Sequence, residues 1–476
     1  MHDLPKPRLV TIAGPLLSEL LLGFGVGLLG LWLASRESDS ASAAFALSNQ
    51  VIGAFFLLFR IISMGVSVVI TQSLGMRNVA GANHIARASL GATTWLGISA
   101  ALVLFCGAGP LLEVMNASAP VQEMARPYLQ MFALALVLDA YCACMAAVMR
   151  AYLRIRDSML TIVAMDALHL ALCLPLMRGF GPVAPLGLPG FALALAISRA
   201  IAIVIYLRLW RWRLNLVPRV RDWWALHIQH LGPVLQIGLP GAAESIIHRL
   251  AMLVSFTVVA SMGTAQLAAH TYASEAMNFT GLLCLSIGFA SEIMVGHLIG
   301  AAQLHRADLV VRRSLFLGLV GSLVLTVSAA VTARWTLSLF TQDADIVATA
   351  TALLWLTVLL DPARTCNLVI INALRATGDT RFPVVVGAVS MTLVLGGGSW
   401  LLGVHFKLGL FGVWIAYVAD EWARGLIMAA RWFGHGWVRS AMATRRRMLV
   451  VRSAPVLVPV PVPVVGGSSV DSSVDR

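Results

Sequence analysis

The chain has 476 residues, of which 59% are hydrophobic and only 12% charged. A soluble globular domain carries about twice that charged fraction, so the composition excludes an ordinary water-soluble enzyme or binding module. The net charge of +12 does not point to nucleic acid, because the basic residues sit between apolar segments rather than along a soluble face with interleaved aromatics.

Apolar runs of about 20 residues recur along the chain, long enough to cross about 30 Å of hydrocarbon as helices. Backbone groups in lipid must be satisfied within the structure, which leaves a helix bundle or a closed barrel. The runs are too long and too evenly apolar for barrel strands, which alternate over about 10 residues. The fold class is therefore all-α, a polytopic membrane protein. Hydropathy places helices at 10–34, 44–72, 88–110, 124–150, 158–178 and 187–210, then at 236–260, 267–299, 314–335, 345–374, 382–402 and 409–433. The first run is too long for a signal peptide and lacks a small-residue cleavage site after it, so it is expected to remain as an anchor.

Lys and Arg are distributed unevenly between the two sets of loops. One set and the chain ends hold Lys6, Arg8, Arg77, Arg150, Arg154, Arg211, Arg219, Arg306, Arg375 and Arg381 among others, whereas the opposite set holds only Arg36, Arg126, Arg178, Arg334 and Lys407. The positive-inside rule makes both termini cytoplasmic and the helix count even, which suits a multi-pass protein of the cytoplasmic (inner) membrane. The stretch from Arg208 to Leu231 mixes arginine and tryptophan, as a segment at headgroup level does. The expected organisation is a six-helix lobe at 1–207, a basic cytoplasmic linker at 208–235, a second six-helix lobe at 236–434 and a basic cytoplasmic tail at 435–476. The tail ends in a Val-Pro repeat that cannot propagate a helix and is expected to be disordered.

The two lobes align with each other at an offset of 225 residues. Pro15 falls on Pro240, Glu19 on Glu244, Gly75 on Gly300, Arg87 on Arg312, Arg150 on Arg375 and Arg156 on Arg381. Further on, Gly187-Leu-Pro-Gly190 matches Gly409-Leu-Phe-Gly412 at an offset of 222. An even number of helices per half sends both halves into the bilayer the same way, the parallel-repeat plan, with substrate sites between the repeats near the midplane.

The second half contains Ala373-Leu-Arg-Ala-Thr-Gly-Asp-Thr-Arg-Phe-Pro383, Leu267-Ala-Ala-His270, Val295-Gly-His-Leu-Ile-Gly-Ala301 and Gly238-Leu-Pro240. Together these resemble the multidrug and toxic compound extrusion (MATE) family, over roughly residues 8–434. The first half resembles the same pattern more loosely, through Gln72-Ser-Leu-Gly75 and Arg150, and reads Leu153-Arg-Ile-Arg156 where the second has Gly-Asp-Thr-Arg. The resemblance implies a twelve-helix, two-lobe exporter that exchanges organic cations for H+ or Na+ by alternating access. It also implies that the polar positions of the fifth helix line a first-lobe cavity; Asp166, His169 and Cys173 stand at that spacing.

A charge held at mid-bilayer costs about 2.5–3.5 kcal/mol, so each is a candidate site. Glu19 and Glu244 each lie four residues after a helix proline, and both copies of the repeat keep the carboxylate. A carboxyl group removed from water takes up a proton more readily, as a proton carrier must. His248 is one turn from Glu244 and shares its face, so this copy is expected to be the stronger coupling site. Asp166 and His169, three residues apart, form a second candidate ion-coupling pair. Glu275 and Asp139 sit among small or polar neighbours and are expected to face a substrate cavity. Asp361 is assigned to the same cavity, although Arg364 one turn on offers a simple local ion pair. Arg60 and Arg249 lie within apolar segments as possible counter-charges, and Asp420 and Arg424 form an i,i+4 pair.

No enzyme motif occurs. Without a GxxxxGK[ST] loop to cradle ATP phosphates, transport is expected to be secondary. The partners are small organic substrates, H+ or Na+ and the lipid bilayer; no cofactor, metal or nucleic acid is called for. Two rivals stand beside this reading. A lipid-linked oligosaccharide flippase would need a strongly basic central cavity, and a membrane-embedded transferase would need clustered His/Asp or paired carboxylates on loops at one face.

Overall fold

A computed structural model of the chain describes residues 8–179, 184–339 and 341–453, and the regular structure among them is entirely helical. The first half comprises α1 (Leu9–Ser35), α2 (Asp39–Gly75), α3 (Val79–Val114), α4 (Ala119–Ala151), α5 (Ile155–Arg178) and α6 (Leu188–Arg213). A five-residue helix, α7 (Val220–Trp224), precedes the second half. That half comprises α8 (Ile228–Ala260), α9 (Thr264–Gly300), α10 (Leu304–Ser338), α11 (Ala344–Thr377), α12 (Arg381–His405) and α13 (Gly409–Phe433). The last described element is α14 (Trp437–Ser453).

Eleven of these helices are long and apolar enough to span a membrane. The twelfth span is α13, whose 25 residues are long enough but carry Asp420, Glu421 and Arg424 on buried positions. The chain is thus an all-α membrane protein of twelve spans in two six-helix lobes.

The helices run several residues beyond the apolar cores that hydropathy reads. The second extends over Asp39–Gly75 rather than 44–72, and the third over Val79–Val114 rather than 88–110. Their first turns begin in polar sequence that caps them: Ser38 accepts from the Ala41 amide at 2.9 Å and Asn78 from the Gly81 amide at 2.9 Å. Such ends satisfy otherwise orphaned backbone donors outside the apolar run, where hydropathy is blind. The expected linker at 208–235 shortens for the same reason, since α6 continues to Arg213 and α8 begins at Ile228. Its tryptophans dock on the first lobe. Trp223 meets the Tyr141 ring at 5.0 Å, and Trp95 donates to the Trp224 carbonyl.

The tail is ordered further than its sequence suggests. Residues 437–453 form a helix because Trp437 stacks on Trp432 at 4.4 Å and Ala441, one turn on, is buried beneath it. Met448 then reaches the apolar cluster of the first lobe, so α14 underlies both halves. Residues 454–476, with the Val-Pro repeat, lie outside the described residues.

The internal repeat is visible in the backbone torsions. Arg77 and Ala302, Leu153 and Gly378, and Gly187 and Gly409 all have positive φ, between 59° and 86°. Each pair stands at the offset read from the sequence, so the same turns recur in both halves. Gly378 supplies the left-handed cap of α11 that the Gly-Asp-Thr-Arg stretch needs. A side chain there would also collide with Thr444 of α14. One difference between the halves lies in α12, which winds as a π-helix over Met391–Gly397 and Leu401–His405.

The lobes touch mainly through α2 against α8 and α9, and through α1 against α9. A close, reciprocal approach lies at the arginine-rich ends. A Cβ on Gly75 would strike the His297 carbonyl, and one on Gly300 would strike the Gln72 carbonyl. Gln72 donates to the Ala376 carbonyl at 2.7 Å, and His297 Nε2 donates to the Ala151 carbonyl at 2.9 Å. Gln72 and His297 are repeat counterparts, as are Ala151 and Ala376, so each lobe caps a helix end of the other.

Candidate functional site

Two adjoining cavities lie where the lobes meet and inside the first lobe. The first, of about 320 Å³, is bounded by α1, α2, α4 and α9, with Glu19, Arg60, Asp139, Arg150 and Glu292 among apolar side chains that include Phe56, Phe59 and Phe289. The second, of about 310 Å³, opens between α1, α4, α5 and α6 and adds Asp166, Arg199 and Tyr206. Glu19, Asp139 and Arg150 line both. Volumes near 300 Å³, apolar walls and a few convergent charges fit a small-molecule site.

The charges are arranged in pairs that the sequence repeat sets. Arg150 at the end of α4 binds Glu19 Oε2 on α1 at 3.0 Å. Arg375, its counterpart at the end of α11, binds Glu244 on α8. Burying a charge is tolerable only with a partner of opposite sign, and here both copies use the same one. The two pairs differ in access. Glu19 lines both cavities, and its Oε1 is buried without a hydrogen-bond partner. Glu244 lines neither, and Arg375 is anchored further by Asn372.

Asp166 and His169, expected as a pair, are parted by their surroundings. Arg199 on α6 bridges Asp139 at 3.1 Å and Asp166 at 3.4 Å, drawing both acids to the second cavity. His169 is fully buried with its ring edge-on to Phe191 at 4.7 Å, outside the cavity lining.

The second lobe holds five of its charges in one buried network. Asp361 meets Arg364 at 3.2 Å; Arg364 and Arg424 both meet Glu421, at 3.6 and 3.1 Å; Arg424 also binds Asp420, which accepts from Ser390. Asn367 donates to Glu421 at 2.9 Å. His248 lies in the electrostatic reach of this network as well as of Glu244. Asp361 is fully buried there and lines neither cavity, and Glu275 is exposed on α9 away from both. Of the three residues expected to line a substrate cavity, Asp139 lines both of these cavities and Glu275 and Asp361 line neither. Arg249 instead caps α2 contacts by donating to Gln50 at 2.7 Å.

Two charged cavity residues lie outside the sequence reading. Arg199 stands in α6 with no local acid to draw notice, and its partners come from other helices. Glu292 on α9 is 4% exposed, and its repeat counterpart is Ser67, so the search for matched charges passes over it. The signal that could find it is the one used for Glu19, a lone carboxylate inside an apolar run.

Two similar six-helix bundles enclosing an apolar-walled cavity with a few convergent charges at their interface form a membrane transporter, not an enzyme. The MatE family model matches residues 15–174 and 240–397, once in each half, and the chain belongs to that family. The uncharacterized transporter YisQ of Bacillus subtilis is 30% identical over 435 residues, spanning 91% of this chain and 96% of that protein. A probable multidrug resistance protein NorM of Thermotoga maritima is 22% identical, over 94% of this chain and 97% of its own length. The fold matches that of a Vibrio cholerae MATE transporter, VcmN, with a TM-score of 0.80 at 19% identity, covering 92% of this chain and 96% of that one.

Proposed function

We propose that the chain is a secondary active exporter of organic compounds, cationic ones among them, coupled to H+ or Na+ antiport by alternating access. The observation that carries this reading is the acid-lined cavity at the lobe interface, closed at the arginine-rich end by reciprocal backbone contacts. The name of the Thermotoga relative, a probable multidrug resistance protein, supports the same direction. Glu19 is the coupling group in this reading. One of its oxygens holds Arg150 and the other is open to a proton or a sodium ion. An ion bound there competes with Arg150 for the carboxylate, and a cationic substrate competes with the ion. Asp166 and Asp139 form the adjoining first-lobe cation site, with Arg199 as the movable counter-charge. The membrane is the cytoplasmic one, with the arginine-rich face and both termini inside. The balanced charges of the cavity do not favour the crowd of arginines that a pyrophosphate carrier would need. The test is efflux from proteoliposomes with a pH gradient and a Na+ gradient imposed separately. Export driven by either one supports the proposal, and the absence of export with both overturns it.

A further inference from the structure

The last described helix, α14, carries a narrow stripe of packed side chains. Trp437, Ala441, Thr444 and Met448 follow at steps of four, three and four residues, which places them on one face. Trp437 and Ala441 are buried, Thr444 and Met448 are half-buried, and Arg439 and Arg446 are exposed on the opposite face. The two ends of the stripe have different hosts. The Trp437 ring stacks on Trp432 of α13, its Nε1 donates to the Trp432 carbonyl at 3.0 Å, and Thr444 covers Gly378 at the end of α11. All of that is second lobe. Met448, one turn further on, packs on an apolar cluster built mainly by α2, α3, α4 and α6 of the first lobe.

This crossing lies under the seam that closes the arginine-rich end. Gly378, beneath Thr444, is two residues from Ala376, whose carbonyl accepts from Gln72 of the first lobe. Arg431 of α13 pairs with Asp379 in the same turn at 3.0 Å, so the second-lobe mount is itself braced. The first lobe has no equivalent. The segment after α6 docks through α7 on α3 of its own lobe and leads into α8.

We propose that α14 is a strap across the two lobes, mounted on the second and seated on the first, which biases the arginine-rich end toward its closed state. The proposal rests on the alternating-access reading for the need to open that end, but its test does not. The mount and the seat are unequal. Stacked indoles, a hydrogen bond and a glycine contact hold the mount, whereas one half-buried thioether makes the seat. When the lobes part at this end, α14 travels with the second lobe and Met448 leaves its cluster. Apolar surface then returns to water, and that burial is a free energy present only in the closed state. A strap of this kind shifts a population because it distinguishes two conformations, not because it adds stability to both.

Opening of the seam is read as the rate at which a soluble maleimide modifies a Thr71→Cys thiol, which is buried against Gly296 when the lobes meet. The full chain is used in lipid nanodiscs, without substrate or ion gradient, and mass spectrometry follows that one cysteine. Met448→Asp should raise the rate at least fivefold, because a carboxylate is costly on an apolar seat. Met448→Leu should stay within about twofold of the unaltered strap, since it restores an apolar side chain of similar volume. Arg446→Asp, the same acidic residue on the exposed face, should leave the rate unchanged. Ala443→Pro breaks the helix between mount and seat at an exposed position and should act like Met448→Asp. A rate unchanged by Met448→Asp, or an equal gain from Arg446→Asp, overturns the proposal; if Met448→Asp yields no folded protein, Ala443→Pro decides by the same limits. Efflux under the two imposed gradients, measured on the same preparations, separates the readings: export with no change in labelling removes the strap and leaves the exporter.

Discussion

Arg199 and Glu421 occupy the same position in the two lobes, at the offset of 222 residues that relates α6 to α13, and carry opposite charges. Their partners are inverted with them. Arg199 binds Asp139 on α4, and Glu421 binds Arg364 on α11, where Asp139 and Arg364 are counterparts at the offset of 225. One salt-bridge site has been kept in both halves with its polarity reversed. The first-lobe version opens on the cavities, whereas the second-lobe version is closed into the Asp361–Arg364–Glu421–Arg424–Asp420 network.

Removing Arg199 should therefore cost more than removing a surface arginine. Arg199→Ala leaves Asp139 and Asp166 facing each other without a cation, a loss on the order of 3 kcal/mol when a buried pair is broken from one side. Arg199→Lys should recover only part of it, because one ammonium does not reproduce the fork that spans both acids. Melting temperatures in one detergent would read the order wild type, Lys, Ala; equal values for all three would contradict the bridging role.

Glu19 and Glu244 should separate in their effects. Glu19→Gln is expected to lower ion-driven export at least tenfold with a smaller change in melting temperature, since the arginine it strands, Arg150, is 23% exposed and lines both cavities. Glu244→Gln strands Arg375 in the interior and should mainly lower the yield of folded protein. Flux normalised to folded transporter distinguishes them, and wild-type flux from Glu19→Gln would remove that residue from the coupling role.

His169→Gln should leave coupling nearly intact, because the ring packs on Phe191 rather than facing the cavity. Asp166→Asn should impair it severalfold. Comparing the two under the same imposed gradient decides whether the pair acts together, as their spacing suggests, or whether Asp166 acts with Arg199, as the geometry has it.

Closure of the arginine-rich end depends on glycine. Gly300→Leu would drive a side chain into the Gln72 carbonyl and should hold that end apart. A Thr71→Cys thiol, buried against Gly296 in the closed form, should then react with a soluble maleimide at least tenfold faster than without the glycine change. An unchanged rate would mean that this crossing is not the gate.

The side on which that gate lies is open to a simple labelling experiment. Cysteines introduced at Arg219 and at Ser338 should be protected and reactive, respectively, toward an impermeant reagent added outside intact cells. The reverse pattern would invert the topology.

The bundle, its two lobes and the repeat were legible because prolines, glutamates and arginines recur at a fixed spacing that apolar composition cannot mimic. The site was legible only in part. Arg150 and Arg375 stood out as matched residues but read as loop charges, since the apolar runs stop beside them; the helices continue, and both arginines reach back to a glutamate on another helix. Spacing along one helix suggested His169 for Asp166, whereas the partner came from α6. Glu275 suits a cavity by its neighbours in sequence, but which face of α9 looks inward is decided by packing against α1 and α2.

The crossing of Gly75 and Gly300 has a bearing on how such a chain could arise. Gly75 meets the backbone at 297 and Gly300 meets the backbone at 72; Gln72 caps residue 376 and His297 caps residue 151. A contact in which position i of one copy meets j of the other, and j meets i, is the isologous kind formed by identical subunits about a two-fold axis. The two lobes therefore still meet as a homodimer of six-helix subunits would. Their covalent joining has left each free to diverge, with Gln72 opposite His297 and Ser67 opposite Glu292, around a seam that one ancestral surface was able to form with itself.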